Sequence, residues 1–151
     1  MNLNKQKILQ IVEKVVEEAD FFLIAIEYRG DNRNQIIEIF VDNVSGFSAE
    51  DCKIISKKIS AIFEEQDLIK GKYRLDVSSP GIDRPLKFAG QYQKHLNRKF
   101  AIEYVDGEDI IKMESKLVKI INDDFVFRSN NNEVKINFNN IKSAKVLLSF
   151  K

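Results

Sequence analysis

Nucleophilic hydrolysis in this chain of 151 residues would have to use its only histidine, His95, with Ser78 or Ser79. A hydroxyl attacks only when a base takes its proton and a further group orients that base. The spacing supplies no such arrangement: GxSxG is absent, and so is a phosphate-binding P-loop. The single Cys52 cannot form an intrachain disulfide, and one histidine without a CxxC pair leaves no local ligand set for zinc. No catalytic residue, no metal and no cofactor is therefore expected. The cations offer a different chemistry. Between Asp83 and Glu103 there is no carboxylate, while Arg84, Lys87, Lys94, Arg98 and Lys99 are cationic and His95 can become so. Such a stretch binds anions and displaces counterions from a line of phosphates.

The whole-chain charge conceals this. A net charge of +1 describes a neutral protein, yet the chain carries 13 Lys and Arg against 15 Asp and Glu up to Lys87, and 11 against 8 beyond it. No apolar run reaches the ~20 residues that span a bilayer, and the N-terminus lacks an export pattern, so a cytoplasmic protein is expected.

These residues need elements to hold them. Ile8, Ile11, Val12, Val15, Val16 and Ala19 recur at helical spacing, with Asn2 or Asn4 able to cap them. Phe22, Ile24, Ile26 and Tyr28 then alternate, and across the turn-rich GDNRN so do Ile37, Ile39 and Val41, which predicts a hairpin. Ser48 and Asp51 form a capping box before a second helix carrying Cys52, Ile55, Ile59, Ile62 and Phe63 and ending near Gln66. Tyr73, Leu75 and Val77 mark a third strand. The order helix, strand, strand, helix, strand predicts a small sheet with two helices on one face. Its other face would carry Leu23, Ala25, Glu27 and Arg29, then Ile36, Glu38 and Phe40, then Arg74 and Asp76.

After Pro85 the pattern changes. Phe88, Tyr92 and Leu96 allow a short helix, and five short strand-like runs follow, separated by DGED, DD, NNN and FNNI. Five antiparallel strands in so short a segment predict a small barrel, which removes exposed edges. The chain thus reads as an α+β protein of two small domains, residues 1–82 and 86–151, joined by a linker at 83–85. In the connecting run, Pro80-Gly81 suits the centre of a type II turn, and Pro85 forces Arg84 into an extended conformation. Arg84, between Asp83 and Pro85, also suits an ion pair that stiffens the connector.

The run Ser78, Ser79, Pro80, Gly81, Asp83, Arg84, Pro85 and Leu86, preceded by LDV, resembles the SSPG-x-DRPL motif of the bacterial ribosome maturation factor RimP family. VEEADFFLIAIEYR, FVDN with SAEDCKIISKKIS, and FAGQYQKHLNRKFAI are similar to further parts of that family. The resemblance covers almost the whole chain. It implies a KH-like α/β N-terminal domain, an SH3-like all-β barrel after it, and a non-enzymatic factor that binds the immature small (30S) ribosomal subunit and assists its maturation. The implied partners are 16S rRNA and small-subunit ribosomal protein twelve, the latter mainly through the C-terminal barrel, with the protein a monomer off the ribosome and no membrane involved. Asn97 departs from the family, which usually has Gly there. DGEDIIKM lies where family members vary. No GxxG loop of the KH type and no aromatic-rich RRM signature is present. The alternative is a free-standing RNA chaperone or regulator using the same basic surface on many RNAs.

Overall fold

The structure, a computed structural model, describes residues 4–31, 33–81 and 84–147. The chain divides into two compact units, Met1–Pro80 and Gly81–Lys151.

In the first unit, helix α1 (Lys5–Glu18) starts at Asn4, whose side chain accepts the Lys7 N–H at 3.1 Å. Strands β1 (Phe22–Gly30) and β2 (Asn34–Asp42) form the expected antiparallel hairpin. Helix α2 (Ala49–Glu65) opens on the expected capping box, with the Asp51 N–H donating to Ser48 Oγ and the Ser48 N–H to the Asp51 carboxylate. Strand β3 (Lys72–Ser78) pairs parallel to β2, and the sheet order is β1-β2-β3. A parallel neighbour needs a crossover connection, which α2 supplies. Ile8, Val12, Val15 and Val16 of α1 meet Ile55, Ile59 and Phe63 of α2 over Ile37, Ile39 and Val41, so both helices cover one face of the sheet.

The alternation read in β1 is corrected by a bulge. A register shift between Leu23 and Ala25 pairs Leu23 with Val41, Ile26 with Ile39 and Tyr28 with Ile37. Leu23, Ile26 and Tyr28 therefore pack against the cluster under the helices, whereas Phe22 and Ile24, expected there, lie outside that cluster, Ile24 being buried elsewhere. An extra residue in one strand inverts every side chain beyond it.

The second unit is an antiparallel sheet of order β7-β6-β5-β4-β8. Its strands are β4 (Lys99–Asp106), β5 (Asp109–Ile121), β6 (Asp124–Ser129), β7 (Asn132–Asn137) and β8 (Ile141–Val146). The expected barrel is not closed: β7 and β8 remain the two edges of the ladder among the described residues. Three two-residue hairpin turns connect β4 to β7, each with its first residue at positive φ: Gly107 at 65°, Asn122 at 55° and Asn130 at 56°. Asparagine tolerates that region better than most residues, which is why these polar dipeptides suffice. Because the first turn takes only Gly107 and Glu108, IIKM belongs to β5. The inner face carries Phe100, Ile102, Tyr104, Leu117, Phe125, Phe127 and Ile136.

Loss of the α2 cap should show directly in stability. Ser48→Ala is expected to lower unfolding free energy by about 1 kcal/mol in urea titration, since the Asp51 N–H loses its acceptor.

Candidate nucleic-acid interface

Position 83 lies outside the described residues, so the expected Asp83–Arg84 pair does too. Ser78 ends β3 opposite Phe40, and Ser78 and Ser79 are exposed. Gly81 has φ 74°, the left-handed value that a type II turn requires after Pro80, and a Cβ there would meet nothing within 4 Å. Strain alone makes a side chain costly at this point.

The segment after exposed Pro85 is pinned to the second unit at several points. The Leu86 N–H donates to the Ala144 carbonyl at 2.8 Å. Gln91 is buried and its Oε1 accepts both the Lys87 and Phe88 N–H groups, at 2.7 and 2.8 Å. Two 3-10 turns, Ala89–Gln91 and Gln93–His95, replace the short helix expected here. They bring Tyr92, fully buried, into the aromatic core, stacked parallel to Phe100 at 5.8 Å and close to Phe125 at 4.5 Å. That burial pushes the Tyr92 phenol above its usual pKa. Leu96, which a continuous helix would have turned inward with Tyr92, is exposed.

Asn97 then turns the chain with φ 71°. Its N–H donates to the Leu117 carbonyl and the Leu117 N–H to the Arg98 carbonyl, which sets the start of β4 against β5. The departure from Gly at this position is thus accommodated by the one common residue type with a short amide that enters the left-handed region readily.

The five cations differ in their surroundings. Arg84 and Lys94 are half-buried and have partners. Lys87 is exposed, its Nζ 5.4 Å from the Phe88 ring centroid. Arg98 and Lys99 are exposed at the head of β4, and Lys99 Nζ lies 3.4 Å from Glu114. His95 is half-buried with its ring edge-on to Phe100 at 6.3 Å. Among the described residues no three His, Cys, Asp or Glu side chains gather as a metal site would require.

Register supplies cations that the stretch 84–99 does not contain. Lys99 stands opposite Lys116 on β5, and Lys116 opposite Arg128 on β6, so three cations form a row across three strands. In the adjacent row Lys119 stands opposite Val126, and Val126 opposite Lys135 on β7. The sequence signal for this was weak: these lysines are widely spaced and only strand pairing joins them.

Residues 11–83 match the family model of the RimP N-terminal domain. No helix among the described residues is long and apolar enough to cross a membrane.

Two backbone positions test this geometry. Gly81→Val and Asn97→Val should each cost about 1–3 kcal/mol by forcing a β-branched residue to positive φ, while Asn97→Gly should be tolerated. Gln91→Leu should cost about 1–3 kcal/mol per stranded donor, because the Lys87 and Phe88 N–H groups lose their shared acceptor. Thermal and chemical denaturation of the four variants gives the ranking.

Proposed function

From an N-terminal domain that places this chain in the RimP family, we propose that the protein is a non-enzymatic ribosome maturation factor that binds the immature small subunit and assists its assembly. The match over residues 11–83 carries this reading. It is supported by the fold of the first unit, whose helix-strand-strand-helix-strand order suits a KH-like domain used without a GxxG clamp. In the second unit, five antiparallel strands around an aromatic core support an SH3-like architecture with an open ladder. On this reading residues 83–85 serve as the linker between an N-terminal domain of 1–82 and a C-terminal domain of 86–151.

The partners are 16S rRNA in the small-subunit precursor and small-subunit ribosomal protein twelve, the latter held by the second unit, with the protein acting as a monomer in the cytoplasm. Arg84, Lys87, Lys94, Arg98 and Lys99 are the proposed rRNA contacts, with Arg84 acting in the connector as well. The exposure of Lys87, Arg98 and Lys99 favours contact with phosphates, whereas the half-buried Arg84 and Lys94 act through the local shape of the segment.

No chemical step is assigned to the chain. His95 lies against Phe100 in the second unit, whereas Ser78 and Ser79 belong to the first.

Sedimentation of tagged full-length protein with separated ribosomal particles tests the class. The protein is expected to migrate with small-subunit precursors and not with mature ribosomes. Equal recovery of unrelated messenger RNAs would favour the general RNA chaperone, and a turnover activity abolished by His95→Ala would refute the non-enzymatic reading.

A further inference from the structure

Resting on that RNA-binding reading, we propose that the outer face of the second sheet, centred on Lys116, docks the phosphodiester backbone of RNA. The first observation is the row itself. Lys99, Lys116 and Arg128 are directly opposed across β4, β5 and β6, and all three are exposed. Like charges in directly opposed positions weaken a sheet, so the row is unfavourable for the isolated protein. The two flanking cations are each tied down: Lys99 to Glu114 at 3.4 Å, and Arg128 to Glu133 on β7, with Arg128 Nε 3.0 Å from the carboxylate. Lys116, between them, makes no ion pair or hydrogen bond through its side chain among the described residues. A lysine enclosed by cations and left unpaired is complementary to a polyanion.

The second observation is a bulge. Lys116 and Lys119 are three residues apart and in a regular strand would point to opposite faces. The register shift between Leu117 and Lys119 leaves Leu117 inward against Phe127 and brings Lys119 outward beside Lys116. Lys119 and Lys135 then flank Val126, giving a second cationic row with a nearly buried apolar floor. Both of these lysines are exposed and unpaired among the described residues.

The third observation concerns what the surface lacks. The two rows contain no aromatic side chain, since Phe100, Phe125 and Phe127 all point into the core. Bases would find no stacking platform here, while opposed cations about 5 Å apart and diagonal ones about 7 Å apart suit successive phosphates. The surface thus positions RNA without reading its sequence.

The test compares salt dependence of binding to polyuridylate for the full chain and for the triple variant Lys116→Gln, Lys119→Gln, Lys135→Gln. The magnitude of the log–log slope should fall by about 0.7 for each lysine lost. Melting temperature should not drop, because Lys116→Gln removes a repulsion. Replacing exposed Lys53, Lys57 and Lys58 of α2 by Gln makes the same change in net charge and should leave the slope intact. An unchanged slope in the sheet variant, with the parent binding normally, overturns the docking face and leaves the assembly-factor reading standing. A parent that binds neither polyuridylate nor small-subunit precursors overturns both. Competition by polyglutamate as effective as by polyuridylate overturns the assignment to RNA in favour of an acidic protein.

Discussion

The placement of Tyr92 governs much of the second unit. Among its described residues the second unit contains no α-helix, and the core on the inner face of its sheet is built from strand side chains and from those of the preceding segment. That segment contributes Tyr92, which sits among Phe100, Phe125 and Phe138. Large aromatic rings bury much apolar area at little entropic cost, and offset or tilted pairs add to it. With Tyr92 seated, residues 84–98 have only a narrow path over the sheet. Gln91 satisfies the backbone donors stranded by that path, and Asn97 reverses the chain into β4. The register between β4 and β5 follows from the reciprocal Asn97–Leu117 and Leu117–Arg98 bonds, and Lys99 arrives opposite Lys116. A buried phenol thereby helps to place an exposed lysine.

Local signals in the sequence were legible where local physics decides. Asn4 and Ser48 cap their helices, Asp51 completes the box, and Ile55, Ile59 and Phe63 face the core as their spacing required. Gly81 takes the positive φ anticipated after Pro80. The failures all involve information outside the local pattern. The bulge at Leu23–Ala25 changes which side chains of β1 meet β2, and nothing in FFLIAIEY marks it, because both alternating sets are largely apolar. The segment at Phe88–Leu96 has helical spacing, yet the demand for Tyr92 in the core and the shared acceptor of Gln91 break it into 3-10 turns.

The candidate interface was legible in part. A carboxylate-free run of residues is visible by inspection, and it leads into β4, where Lys99 is paired with Lys116. The cationic rows are not visible, because Lys116, Arg128, Lys119 and Lys135 are scattered singly among non-cationic neighbours in sequence, and only the pairing of β4 to β7 makes them adjacent. A net charge of +1 is equally uninformative, since it sums over the whole chain and does not register which side chains strand pairing brings together.

The proposal on which the functional reading turns is contact between the second unit and small-subunit RNA. Ultraviolet cross-linking of the full chain on small-subunit precursors, followed by mass spectrometric mapping of peptides carrying nucleotides, tests it most directly. Cross-links are expected on peptides from residues 84–99 and 112–135. Nucleotides recovered only on peptides from residues 4–80 would contradict the account.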